Sequence, residues 1–350
     1  MMATVPLAPG YAVSRIIKGG WHLAGGHGRI DRAQALADMA RYVAAGITTF
    51  DCADIYTGVE ELIGAFRKSH PNEAARVQIH TKFVPDIADL GSLDRAQIER
   101  AIDRSLRRLG VQRLDLVQFH WWDLRVPRYI DTALELVRLR NAGKIAHLGV
   151  TNFDTASLAQ LIEAGVPLIS NQVQYSLLDE RPAQPMSAYC REHGVSLLCY
   201  GTVAGGFLSE RWLGKPQPQD PLANRSLVKY RLIIEEFGGW ELLQRLLSVL
   251  QSIAGKHGTE IATVATAAVL GRPQVAAAIV GATSAAHLQA NSAAARLVLD
   301  HEDLAALAVV RSEAQGPLGD VYGLERDRNT AHGRIMKYDL NAKATDATPR

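Results

Sequence analysis

Cysteine is scarce in this 350-residue chain. Cys52, Cys190 and Cys199 are too few for a disulfide framework, and an odd count leaves one thiol unpaired. A reducing, cytoplasmic setting fits that usage. No run approaches the roughly 18 apolar residues that a membrane-spanning helix requires. The opening MMATVPLAPGYAVSR has no basic stretch leading into an apolar core, so no secretory leader is expected. Charge of one sign is missing too: 38 Lys and Arg against 36 Asp and Glu give a net +2. That is too little to draw nucleic acid or an anionic membrane. Arg104, Arg107 and Arg108 cluster, but at helical spacing, and read as a solvated face. HxH and HExxH pairs are absent from the strand ends, which argues against a metal hydrolase. No GxGxxG follows the first strand; Gly25, Gly26 and Gly28 in AGGHG have another spacing and no helix directly behind them.

What is present is a rhythm. Strand and helix patterns alternate from residue 31 onward, and glycines close the helices at Gly46, Gly110, Gly143, Gly165 and Gly194. Strands are expected at 15–18, 47–51, 77–82, 114–120, 145–151, 168–174, 196–200 and 276–280. Helices are expected at 31–45, 59–68, 93–109 (with Ser92 as N-cap), 130–142, 154–164, 184–193 and 285–295. Strict alternation implies parallel pairing with right-handed crossovers, and eight units favour closure into a (β/α)8 barrel over an open sheet. A barrel commonly takes about 250 residues, so the surplus belongs to loops and a tail. Residues 201–240, with KPQPQDPL, read as a long irregular insertion. The tail around Tyr322 to Arg328 is placed to fold across a barrel mouth, and residues 341–350 read as a flexible end.

Three of the expected strands end on polar groups. GITTFD closes on Asp51, RVQIHTK on Lys82 and LDLVQFH on His120, and Tyr56 follows Asp51 in DCADIY. In a barrel the C-terminal strand ends share one rim, so an acid, an amine, an imidazole and a phenol would converge there. Taken singly, Asp51 with Lys82 reads as a structural ion pair and His120 as a satisfied core histidine; taken together they read as a catalytic group. A phenol of ordinary pKa, about 10, is too weak an acid to work efficiently near neutrality. An adjacent lysine cation would lower that value. Cys52, beside Asp51, has no partner base and reads as a small packed residue.

These segments resemble the aldo-keto reductases over about residues 15–310. The matching motifs are FDCADIYTGVEELIG, HTKF, LDLVQFHW, GKIAHLGVTNF, NQVQYSLL and IVGATSAAHLQAN, in family order. The resemblance implies a TIM barrel domain over residues 1–340 and a catalytic tetrad of Asp51, Tyr56, Lys82 and His120, with His120 bonding the carbonyl oxygen. It implies NADP or NAD as cofactor and a small carbonyl or alcohol substrate, with a sugar or an aromatic carbonyl as the candidate classes. The protein is expected to be a monomer or small homo-oligomer.

By the same resemblance, Thr151, Asn152 and Gln172 hold the nicotinamide carboxamide and Tyr200 stacks on its ring. Gly20 and Trp21 belong to the loop after the first strand. Gly201, Thr202, Val203, Gly206 and Arg211 run over the pyrophosphate, while Gly281, Thr283 and Asn291 meet the adenosine. Trp21, Trp121 and Trp122 are the expected substrate contacts. NADPH-preferring members usually place Lys or Arg at the 2′-phosphate, and residues 281–291 carry neither. A non-catalytic nucleotide-binding barrel, acting as sensor or regulatory subunit, is the rival reading; the intact tetrad argues against it.

Overall fold

The computed structural model describes residues 2–25, 30–183, 185–281 and 284–341. An antiparallel hairpin comes first, β1 (Thr4–Ala8) and β2 (Tyr11–Ser14). Eight parallel strands follow: β3 (Ile16–Gly19), β4 (Thr49–Asp51), β5 (Gln78–Phe83), β6 (Leu114–Phe119), β7 (Ile145–Thr151), β8 (Leu168–Gln174), β9 (Ser196–Tyr200) and β10 (Val275–Gly281). They close in sequence order, with β10 pairing to β3. This is the (β/α)8 barrel expected from the alternation, and its strands lie within a few residues of the expected bounds.

The hairpin was not expected. It directly precedes β3 and so covers the N-terminal end of the barrel. Leu7 and Val13 pack there with Ile17, Leu116, Leu198 and Ala277 in one apolar cluster. The Tyr11 hydroxyl lies 3.0 Å from Nε2 of the buried His80. That end is filled, so the opposite rim is the open one.

The outer helices are α1 (Arg32–Ala44), α2 (Val59–Ser69), the short α3 (Pro71–Ala74), α4 (Arg95–Leu109), α5 (Tyr129–Asn141), α6 (Thr155–Glu163) and α7 (Met186–Glu192). After β9 come α8 (Arg225–Phe237), α9 (Gly239–His257), α10 (Ile261–Leu270), α11 (Leu288–Ala294) and α12 (His301–Arg311). The tail adds two one-turn pieces, α13 (Gly323–Arg326) and α14 (Ala331–Arg334). Among the described residues no helix is long and apolar enough to cross a membrane. All three cysteines are buried and free, and burial raises each thiol pKa, so Cys52 is a packed residue.

Four expectations need correction. Helix α4 opens at Asp94, not Ser92: the Asp94 carboxylate accepts from the Gln97 amide at 2.7 Å while Gln97 reaches back to the Asp94 amide. A reciprocal capping box outcompetes a lone serine. Of the clustered arginines of α4, Arg107 is exposed as expected, but Arg104 and Arg108 are not part of a solvated face. Arg108 pairs with Glu60 and Glu61 and donates to the Asp54 carbonyl, and Arg104 lies 3.9 Å from Asp54. The insertion at 201–240 is not irregular throughout, for α8 fills its second half. Leu227, Tyr230, Ile233, Ile234 and Phe237 recur at helical spacing and are buried, and Asn224 caps the helix. Asn341, assigned to a flexible end, is anchored by bonds to Asp86 and the Val84 carbonyl. The rest of that end, and Gln184, lie outside the described residues.

The tail crosses the open rim. Glu325 offers both carboxylate oxygens to Arg181, at 2.9 and 3.0 Å, and Arg181 also grips Asp179. All three are buried. Arg326 donates to the carbonyls of Trp121 and Asn152, tying the tail to two strand ends.

Candidate active site

Strand register builds the site. Asp51 is the last residue of β4 and pairs with His80 of β5; two residues on, Lys82 pairs with Gln118 of β6. Side chains two apart on a strand share a face, so Lys82 and Gln118 are carried to the level of the Asp51 carboxylate. Lys82 Nζ donates to Asp51 Oδ2 at 2.6 Å and to the Cys52 carbonyl at 2.9 Å. The other Asp51 oxygen accepts from Gln118 Nε2 at 2.9 Å and Gln172 Nε2 at 2.7 Å. Gln172 also donates to Gln118 Oε1. An ion pair that is about 5% exposed at Lys82 and 4% at Asp51 thus has hydrogen bonds on both carboxylate oxygens and on the ammonium, as a buried pair needs.

Tyr56 sits in the loop after β4, and Lys82 Nζ lies 5.0 Å from its ring centroid. Burial pushes the Tyr56 pKa up; Lys82, as charge and as hydrogen-bond donor, pulls it down without cancelling that shift. The expected lowering is therefore present as a force but not as the outcome. For Lys82 burial disfavours the cation, yet Asp51 and Tyr56 outweigh it and the pKa is raised.

His120 follows β6. Its Nδ1 lies 3.0 Å from the Thr151 carbonyl, and its Nε2 is buried without a partner. Burial, with help from Arg326, lowers its pKa to about 3, so the ring is neutral. A carbonyl can only accept, so the ring proton resides on Nδ1 and Nε2 presents a lone pair. Trp122 and Tyr322 meet the imidazole edge-on, at 4.4 and 5.7 Å.

These groups open onto a cavity of about 810 Å3, within the range typical of small-molecule sites. It runs from Asp51, Tyr56 and His120 past the loop after β9 to Ser284, His287 and Asn291. Of the described residues assigned to the site from the sequence, all but Gly20 and Trp121 line it. Thr283 lies outside the described residues.

Gly20 is spent on packing: its amide donates to the Asp51 carbonyl at 2.7 Å, and a Cβ there would strike that carbonyl and Val59. Trp121 is a correction. It is fully buried, with its indole N–H on the Val126 carbonyl, and touches the core rather than the cavity. Trp122 faces the cavity, held by a bond to the Pro85 carbonyl.

The cavity fits a dinucleotide. Gly201, at φ 76°, leaves room that a side chain would close against the Tyr230 hydroxyl, and a Cβ at Gly281 would meet the His22 ring. Tyr200 is fixed through its hydroxyl to Asn152 Oδ1 at 2.8 Å. Asn152 itself is left-handed, φ 62°, a conformation asparagine tolerates better than most residues.

Sequence reasoning missed Gln118, although it stands two residues before His120 and so on the same face. It also missed Arg225, Ser226, Lys229 and Tyr230 of α8, and Ile335 to Lys337 of the tail, all of which line the cavity. No local pattern marks those.

The model described as the aldo/keto reductase family matches residues 15–311. Flagellar radial spoke protein 5 of Chlamydomonas reinhardtii is 32% identical over 253 residues, 61% of this chain and 47% of that protein, so the chain spans about half its length. Probable aldo-keto reductase 1 of Glycine max is 29% identical over 325 residues, 90% of this chain and 88% of that protein. An aldo/keto reductase of Klebsiella pneumoniae, solved in complex with NADP and acetate, is 26% identical with a TM-score of 0.69, covering 92% of this chain and all of that one.

Replacing Asp51 by Asn leaves the Lys82 ammonium buried without a counter-charge. Such a loss costs about 3–5 kcal/mol, so Asp51→Asn is expected to lower the denaturant midpoint strongly; an unchanged midpoint would show that the pair is not held as described.

Proposed function

The chain belongs to the aldo/keto reductase family, and on that footing we propose that Tyr56 passes the proton, with Lys82, Asp51 and His120 in support, as a carbonyl compound and its alcohol are interconverted. Bound NAD(P)H supplies the hydride. Hydride addition to a carbonyl leaves an alkoxide, which needs a proton as it forms. Tyr56, its pKa held above the ordinary value by burial, keeps that proton at neutrality. Lys82 stabilises the phenolate left behind, and Asp51 holds Lys82 charged and in place.

His120 takes a different part from donation to the carbonyl. With its proton committed to the Thr151 carbonyl, Nε2 is an acceptor. It suits the hydroxyl of the alcohol, drawing it off the phenolate so that Tyr56 can be reprotonated. One observation carries the reading: a single ammonium is held against a carboxylate and a phenol at the floor of a cleft of dinucleotide size.

For the cofactor, Thr151, Asn152 and Gln172 would hold the carboxamide end and Tyr200 would face the nicotinamide. Arg211 and the glycines after β9 would meet the pyrophosphate. At the adenosine end Ser284, His287, Asn291 and Glu260 line the wall. No Lys or Arg stands among residues 284–294, and a carboxylate nearby repels a 2′-phosphate. NAD(H) is the better fit. The three unpaired cysteines support a cytoplasmic setting.

Tyr56→Phe is expected to keep its fold and bind NADH as wild type does, while kcat falls by about 10²–10⁴-fold; wild-type turnover would defeat the assignment. Fluorescence titration is expected to give a lower Kd for NADH than for NADPH, and the reverse order would refute the reading of the adenosine end. Tyr56 titrates above its ordinary value and His120 at about 3. Reduction should therefore be flat from about pH 6 to 9, while oxidation, which needs the phenolate, should climb with pH. An inflection in reduction near pH 6.5 would show a charged His120.

A further inference from the structure

Besides Lys82, the cations Arg211, Arg225, Lys229 and Lys337 line the cavity. Lys229 differs from the others in its surroundings. It stands one turn beyond Arg225 on α8, and a spacing of four puts both on one face. Its Nζ lies 5.1 Å from the ring centroid of Tyr200, 5.6 Å from that of Tyr230 and 6.0 Å from that of Tyr322. No carboxylate comes within 4.0 Å of it among the described residues. Aromatic faces attract a cation but give its N–H groups no acceptor.

Nor can the neighbouring acids supply one. Glu325, whose field reaches Lys229, has both oxygens taken by Arg181. Asp51 is committed to Lys82, and Glu210 accepts from the Ile261 amide. Burial accordingly pulls the Lys229 pKa down. Tyr322, the third ring of the cage, touches the His120 imidazole on its edge. The ammonium and the imidazole thus flank one tyrosine, which puts Lys229 at the substrate end of the cavity. Arg225, tied to the Ile335 carbonyl, adds a second positive group to the same wall.

We propose that Lys229, backed by Arg225, receives an anionic group on the substrate, so that the preferred carbonyl compounds carry a carboxylate or phosphoryl group a few bonds from the reacting carbon. This rests on the carbonyl-reducing reading above. An anion supplies what the cage lacks: acceptors for three N–H donors in a site where water is partly excluded. Neutral aldehydes of the same shape would leave those donors unanswered.

Matched pairs test it: succinic semialdehyde against butanal, and glyceraldehyde 3-phosphate against glyceraldehyde, each with NADH and NADPH. Wild type is expected to favour at least one charged member by 30-fold or more in kcat/KM. Lys229→Met should cut that ratio at least tenfold, and Lys229→Arg should restore part of it. The better-served pair tells carboxylate from phosphate. Equal kcat/KM within both pairs overturns the proposal.

A ratio untouched in Lys229→Met also overturns it, and if the variant instead weakens NADH binding tenfold, Lys229 belongs to the cofactor. Succinate and inorganic phosphate binding to the NADH-loaded protein, read by calorimetry against succinamide, gives an arm independent of turnover. Should no aldehyde be reduced, the activity reading fails. Lys229-dependent binding of either anion would still uphold the receptor, and its absence would remove it.

Discussion

The Asp51–Lys82 ion pair is the constraint on which the rest of the site turns. Burying two charges is costly, and the pair persists because both carboxylate oxygens and the ammonium are hydrogen-bonded. Gln118 and Gln172 answer the second carboxylate oxygen, and the Cys52 carbonyl answers the ammonium. The pair and those partners together come from four different strands or their ends, so closing the barrel in correct register is what makes the charges tolerable. The fold and the chemistry share one electrostatic condition.

From that pair outward the site is graded by exclusion of water. Tyr56 lies beside the ammonium and is raised in pKa by its burial, while His120 is kept neutral by the same exclusion. The C-terminal segment completes the enclosure. Its Arg326 bonds to two strand-end carbonyls, its Tyr322 covers His120, and its Glu325 is clamped to Arg181 under the rim. Removing water strengthens every charge interaction beneath the tail, which is why a segment outside the barrel bears on groups within it.

Much of this was legible in the sequence because parallel barrel strands are near-continuous apolar runs, and a polar residue closing such a run marks the rim. Asp51, Lys82 and His120 each stood out in that way. Trp121 and Trp122 could not be told apart, since adjacent residues diverge and only the register decides which one meets the cavity. The helix Arg225–Phe237 was hidden behind a proline-rich approach, although its own apolar spacing is plain. The tail from Tyr322 was expected at the mouth and lies there, whereas Lys229 gave no signal because its meeting with Tyr322 is tertiary, between an insertion and a tail. The direction of the Tyr56 shift was misjudged because a neighbouring charge is visible in sequence and the degree of burial is not.

The central claim is that the Lys82 charge acts on the Tyr56 phenol. With ten tyrosines in the chain, a spectrophotometric difference titration between wild type and Tyr56→Phe isolates that one group. Repeated in a Lys82→Met background, it should find the same phenol ionising at distinctly higher pH, since the charge and hydrogen bond by which Lys82 lowers it have been removed. A phenol that titrates at the same pH with and without the lysine would contradict the account.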